Sequence, residues 1–170
     1  SPDEPLEEKM AAHAKLTDEI ITRIYDKAND LYPEERITET MALGVVGSQA
    51  PREMTLPSDS EGRIIMRKKT DAPKSLEFIF REVSIIFDGK AEWTLLLVDA
   101  PVPMDVVSKK RLEKEEKRLI RATQLLSARF LTGNRKLFEE RIQSFDAQLG
   151  TEGKTLAQAL IKIWNHRFKK

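Results

Sequence analysis

The sequence predicts an α+β fold, in which helices precede a small antiparallel sheet of about three strands and a bundle of three helices follows it. Residues 76 to 98 combine large apolar and aromatic side chains with little charge, which is typical of a buried sheet. The flanking segments place apolar residues three and four positions apart, which is typical of amphipathic helices. A chain of 170 residues, 40% of them hydrophobic, is long enough to bury a sizeable core.

Two helices are predicted at the amino-terminal end. Apolar residues in the segment Leu6 to Leu31 follow helical spacing, so one long helix should turn its apolar stripe toward the core. A proline followed by two glutamates suits a first helical turn, which predicts a second helix from Pro33 to about Leu43, ended by Gly44. Residues 44 to 51 lack the lysine of a phosphate-binding loop, and residues 50 to 62 should form an exposed loop.

The predicted sheet lies in the central stretch, Leu76 to Val98. Alternating apolar residues from Leu76 to Phe87 favour a bulged strand, although the same residues also fit a helical stripe, and both interpretations stay open. The many β-branched and aromatic side chains favour the strand. The pair Asp88-Gly89 should reverse the chain, so that Trp93 to Val98 returns as a strand, and Gly62 to Lys69 supplies a third.

Three consecutive helices are predicted after the sheet: Ser108 to Leu131, Arg135 to Leu149, and Thr155 to about Lys170. Two glycines separate the last two helices. The short connections predict an antiparallel bundle. Its inward faces should include Phe145 and Trp164.

The first of these helices carries leucines seven residues apart, at Leu112, Leu119 and Leu126. Such a spacing is typical of helix association, so this side offers one route to self-association. The start of the same helix is almost wholly charged and should project into solvent.

Charge is distributed unevenly along the chain, although the net charge is only +1. Residues 1 to 104 contain 13 Lys and Arg against 20 Asp and Glu, whereas residues 105 to 170 contain 16 against 8. We therefore predict an acidic part of helices and sheet, 1–104, and a basic helical part, 105–170, packed as one globular unit. The basic part is suited to an anionic partner.

No catalytic, cofactor-binding or metal-binding residues can be selected from the sequence. Cysteine is absent, which excludes thiolate catalysis and cysteine metal sites and fits a cytoplasmic protein. The histidines His13 and His166 have no nucleophile motif beside them, and no apolar run is long enough to cross a membrane. We therefore expect a protein that is not an enzyme.

The predicted function is a non-catalytic protein–protein interaction module, an adaptor or a regulatory subunit, that uses the charged surface of the carboxy-terminal helices for another protein or for self-association. The alternative is a nucleic-acid-binding protein that contacts phosphates through residues 109–121 and the carboxy-terminal tail. Intervening glutamates weigh against this alternative. The candidate partner-binding residues are Lys109, Lys110, Arg111, Lys114, Lys117, Arg118, Arg121, Arg135, Lys136, Arg167, Lys169 and Lys170.

Overall fold

A computed structural model describes residues 5–52, 54, 59–69, 73–106 and 112–168. The helices are α1 (Leu6–Leu31), α2 (Ile37–Thr40), α3 (Lys74–Ile86), α4 (Leu112–Thr123) and α5 (Arg135–Phe168). The strands are β1 (Met41–Val45), β2 (Ser60–Met66), β3 (Ala91–Leu97) and β4 (Arg129–Gly133). Short 3-10 helices cover Pro33–Glu35, Gly47–Gln49 and Gln124–Ser127.

The four strands form one mixed sheet in the order β3-β2-β1-β4. Strand β1 pairs antiparallel with both β2 and β4, whereas β2 and β3 run parallel. A parallel pair needs a crossover connection, and α3 supplies it. The α+β class is therefore confirmed, but the expectation of a purely antiparallel sheet of about three strands was wrong in strand number and direction.

The favoured strand over Leu76 to Phe87 was also wrong, because this segment lies in α3 and the turn that follows it. Leu76, Ile79 and Val83 are spaced three and four apart, and all of them are buried in the core beside α1. The helical alternative accounts for this stripe. Of the other side chains that favoured a strand, the phenylalanines are half-buried against the core, whereas Ile85 and Ile86 are exposed.

Both ends of α3 are held by specific backbone contacts. At its start, the Glu35 carboxylate accepts hydrogen bonds from the backbone N–H groups of Lys74 at 2.8 Å and Ser75 at 3.0 Å. A carboxylate at a helix N-terminus satisfies free donors and complements the helix dipole. At its end, Asp88 and Gly89 adopt positive φ values of 50° and 72°, which stops the helix and turns the chain into β3.

The second helix, predicted from Pro33 to about Leu43, is largely replaced by a strand. Only the short turns Pro33–Glu35 and Ile37–Thr40 are helical, and Arg36 between them has a left-handed φ of 48°. Every residue of β1 is buried, because the strand lies between β2 and β4 and both faces of the sheet are covered. A strand buried on both faces lacks the alternation that identifies a strand in a sequence.

The bundle of three helices predicted at the carboxy-terminal end is not seen in residues 112–168, and residues 108–111 of its first helix lie outside the described residues. The first predicted helix is described as α4, a 3-10 turn and β4, while the two later helices are one continuous helix, α5. Gly150 and Gly153 lie inside α5 rather than between two helices. The division at residue 104 stays a prediction, although β4 from the second part pairs with β1 from the first.

The helices cover both faces of the sheet. On one face α1 and α3 enclose a core that includes Ile21, Tyr25 and Ile64. On the other face α4 and α5 enclose cores that include Ile65 and Phe145. The sheet therefore separates the acidic helix α1 from the surface formed by α4 and α5.

Two glycines in the sheet allow aromatic rings to lie directly on the strands. A Cβ atom at Gly44 would clash with the Phe138 ring, and one at Gly62 would clash with the Trp93 ring. These close approaches tie α5 to β1 and β3 to β2, and they require the absence of a side chain at both positions.

Candidate interaction surface

The structure spreads the predicted cationic residues over distant places instead of one face. Arg135 and Lys136 begin α5, whereas Arg167 lies near its end. At about 1.5 Å per residue, the two ends of this set are about 48 Å apart along the helix axis. The remaining described candidates lie on α4. Lys109, Lys110, Arg111, Lys169 and Lys170 lie outside the described residues.

Most of the described candidates already contact a carboxylate or an aromatic ring of the same chain. Arg118 pairs with Glu115, Arg121 with Glu92 at 2.6 Å, Arg167 with Glu116 at 2.9 Å and Lys136 with Glu140 at 4.0 Å. The Arg135 guanidinium lies 4.3 Å from the centre of the Phe130 ring. Exposed pairs of this kind contribute little stability, but they lower the positive potential available to a polyanion.

Three apolar side chains near the end of α5 project into solvent. Ile161, Trp164 and Phe168 are 58%, 65% and 62% exposed. Their spacing of three and four residues places them on one face of α5, and the Trp164 and Phe168 rings pack together with centroids 4.4 Å apart. We call these three residues the outer stripe. The prediction that Trp164 faces the bundle interior was therefore wrong, because the buried stripe runs through Leu156, Ala159 and Ile163.

A cleft of about 490 Å³ lies between α4 and α5. Its apolar floor comes from Ile120 and Ile163. Polar and charged side chains form the rest of the wall: Glu113, Glu116, Lys117, His166 and Arg167. A partly apolar groove between two helices is suited to a helical segment of another protein.

The leucines at heptad spacing do not form a continuous surface. Leu119 is fully buried against the core that contains Phe145, whereas Leu126 is exposed. The side chain of Leu112 lies outside the described residues. A polar substitution at Leu119 would therefore disturb folding before it could report on association.

A chain of hydrogen bonds crosses the interior near the other end of the sheet. Asp18 of α1 accepts from Arg129 at 2.8 Å and from the Gln49 amide at 2.9 Å. The Ser60 hydroxyl donates to Gln49 at 3.2 Å, and the Trp93 indole N–H donates to Ser60 at 3.1 Å. No buried side-chain polar atom of this network lacks a partner, so the network is suited to holding the structure together rather than to binding a ligand.

A second polar cluster lies on the opposite face of the sheet, below α4. Arg63 is almost fully buried and donates to Gln124 at 2.5 Å and to the Gly62 carbonyl at 2.8 Å. Gln124 in turn donates to Glu61 at 3.1 Å. Burial lowers the pKa of Arg63, while burial and the neighbouring Glu92 carboxylate raise the pKa of Glu61.

The outer stripe and the burial of Arg63 were not predicted, because sequence patterns do not reveal which face of a helix or strand the rest of the fold covers. The spacing of the outer stripe was visible, but it overlaps the spacing of the buried stripe on the same helix. The burial of Arg63 had no signal, because arginine is mostly exposed in proteins.

Comparison with family models, characterised proteins and solved structures found no match for this chain. No helix within the described residues is both long and apolar enough to span a bilayer. Within the same residues, no three His, Asp or Glu side chains converge as a metal site would require.

Proposed function

We propose that this chain is a non-catalytic protein-interaction module, an adaptor or a regulatory subunit, and that it binds an acidic amphipathic helix of a partner protein. The docking surface is the outer stripe on α5. The observation that carries the proposal is the exposure of Ile161, Trp164 and Phe168 side by side on one helix face.

Leaving this apolar stripe in water is energetically unfavourable. Burying each of these large apolar side chains contributes about 1.5 to 3 kcal/mol. Tryptophan in particular is enriched among the residues that dominate binding energy at interfaces. Because Trp164 and Phe168 already pack against each other, part of the surface is preorganised for a partner.

The charge around the stripe identifies the complementary partner. Lys162 and Arg167 lie on α5 in the same turns as the stripe, and both are exposed. A partner helix with an apolar face and flanking Asp or Glu residues would bury the stripe and place carboxylates near these cations. Glu116 pairs with Arg167, so a partner carboxylate would compete with an existing contact.

A second candidate function is the binding of single-stranded nucleic acid. The observation that favours it is the exposed aromatic pair beside cationic residues, since bases stack on such rings. The carboxylate partners of Arg118, Arg121 and Arg167 weigh against it, because phosphate binding benefits from unpaired cations on one face.

Fluorescence anisotropy with the full chain separates these functions. The probes are a labelled helical peptide with a leucine stripe flanked by glutamates, the same peptide with lysines in place of the glutamates, and a single-stranded oligonucleotide. We expect the acidic peptide to bind at least about tenfold more tightly than the basic one, and to bind more weakly as salt increases.

Two pairs of substitutions test whether the acidic peptide binds at the outer stripe. The pair Trp164→Ala and Phe168→Ala should weaken binding of the acidic peptide by about tenfold or more. The control pair Ile85→Ala and Ile86→Ala removes comparably exposed apolar side chains from α3, on the other face of the sheet, and should leave binding unchanged. The proposed function would be refuted if only the oligonucleotide bound. It would also be refuted if the α5 pair and the α3 pair of substitutions weakened peptide binding equally.

A further inference from the structure

A separate cavity of about 240 Å³ lies between β3, α4, α5 and residues 100–103. Four arginines contribute to its wall: Arg63, Arg118, Arg121 and Arg141. No aspartate or glutamate lines it among the described residues. The rest of the wall is mostly apolar and includes Leu96, Pro101, Val102 and Leu125.

Arg141 is the most unusual of the four arginines. Its side chain is 1% exposed, and its only hydrogen bond among the described residues is a long one, 3.4 Å, from Nη1 to the Val98 carbonyl. Its Nε atom is buried without an acceptor. Burial lowers the pKa of Arg141 and the charge of Asp99 raises it, yet no salt bridge joins Arg141 to a carboxylate among the described residues. Burying a charged guanidinium with so few acceptors costs folding free energy, unless a bound anion accepts hydrogen bonds from its free donors.

The other three arginines are positioned by groups outside the cavity wall. Arg63 is held by Gln124 and the Gly62 carbonyl. Arg118 contacts Glu115 and the backbone carbonyl of Asp105, and Arg121 pairs with Glu92. These partners fix the three guanidinium groups in place. Arg141, in contrast, keeps a buried donor, Nε, without an acceptor.

We propose that this cavity binds a small organic anion, a carboxylate or phosphate group on a short apolar body. The anionic head would accept hydrogen bonds from Arg141, with Arg63 and Arg121 adding positive charge around it, because a planar guanidinium matches the oxygens of both head groups. The apolar body would lie against Pro101, Val102 and Leu125. The cavity is smaller than the about 300 to 1,000 Å³ of drug-sized ligand pockets, so the body must be short.

Isothermal titration calorimetry of the full chain tests this site. Acetate and inorganic phosphate probe the head group alone, while benzoate and phenyl phosphate add an apolar body, all at matched ionic strength in sodium chloride. We expect saturable binding of benzoate or phenyl phosphate, at least about tenfold tighter than binding of the corresponding head alone. Tighter binding of benzoate would identify the head group as a carboxylate, and tighter binding of phenyl phosphate would identify it as a phosphate.

Two variants and a control locate the binding. Arg141→Met keeps the length of the side chain and removes the charge, and it should weaken binding by about tenfold or more. Ala122→Leu fills the cavity from α4 without removing a charge and should also abolish binding, which keeps the test decisive if Arg141→Met misfolds. Arg81→Met removes an exposed arginine from α3 and should leave the affinity unchanged.

Absence of saturable binding by any of the four anions would overturn the proposal. Equal affinity in the parent chain and in the folded Arg141→Met or Ala122→Leu variant would overturn it as well, since binding would then lie elsewhere. Loss of affinity in Arg81→Met to the same extent would show a general charge effect and have the same consequence.

Discussion

The carboxylate of Asp18 lies 2.8 Å from Nη2 of Arg129, and this ion pair joins the first helix to the last strand across 111 residues of sequence. Arg129 also donates from Nε to the Ala50 carbonyl at 3.0 Å and from Nη2 to the Gln49 carbonyl at 3.1 Å. The pair therefore connects α1, the loop after β1 and β4. A contact between such distant segments forms only when the whole sheet is assembled.

We expect Asp18→Asn to lower the free energy of unfolding by about 3 kcal/mol, because it leaves the Arg129 guanidinium partly buried without its counter-charge. Urea denaturation monitored by circular dichroism measures this loss. The matched control is Glu39→Gln, which removes the carboxylate from the exposed Arg36–Glu39 pair and should cost less than about 1 kcal/mol. Equal small losses in both variants would show that the interior pair contributes no more than a surface pair.

Gly150→Ala should raise the free energy of unfolding by about 0.5 to 1 kcal/mol, because alanine favours a helix interior and a Cβ atom at this position meets no other atom within 4 Å. Thermal denaturation measures the gain. Gly133→Ala is the contrasting variant, since Gly133 has a φ of 90° and its added Cβ would meet the Met41 carbonyl. Loss of stability in Gly150→Ala would mean that α5 is interrupted there.

Gly62→Ala should lower the free energy of unfolding by about 1 to 3 kcal/mol, because the added methyl group must displace the Trp93 ring from β2. Combining it with Trp93→Phe should recover part of this loss, since the smaller ring leaves room. A double-mutant cycle in urea measures the coupling between the two positions. Additive losses in the double variant would show that the ring and the glycine do not constrain each other.

Glu61→Gln should reduce the dependence of stability on pH above the ordinary glutamate pKa of 4.5. The pKa of Glu61 is raised in the folded state by burial and by Glu92, so the folded chain binds a proton that the unfolded chain releases. This group therefore favours folding at low pH, and its contribution is lost as pH rises through the raised pKa. Unfolding free energies from pH 4 to about 7 should fall less in the variant than in the parent chain. A steeper fall in the variant would contradict the raised pKa.

The elements that were predicted correctly are those whose local pattern has one interpretation. Helix α1 was predicted with both of its ends, because a long amphipathic segment cannot be confused with a strand. Strands β2 and β3 lie close to the predicted segments Gly62 to Lys69 and Trp93 to Val98. In each case the local preference and the tertiary environment agree.

The missed elements are those in which tertiary contacts override the local pattern. Strand β1 is buried on both faces, and α3 is capped by Glu35 from a distant segment, so neither has a complete local signal. Gly150 and Gly153 are tolerated in α5 because packing of that helix on the core compensates for their low helix propensity. The cationic candidates were recognisable from composition, but their ion pairs and the outward orientation of Trp164 depend on the assembled fold.

We propose that the outer stripe of α5 receives an acidic helix of a partner protein. Site-specific photo-crosslinking tests it most directly, with a photoreactive residue placed at Ile161 and, as a control, at the comparably exposed Ile85 of α3. In a nuclease-treated native extract, position 161 should crosslink to a protein segment with an apolar helical stripe and flanking Asp or Glu residues, and position 85 should not. Equal crosslinking at both positions, or products at position 161 that contain nucleic acid instead of protein, would contradict the claim.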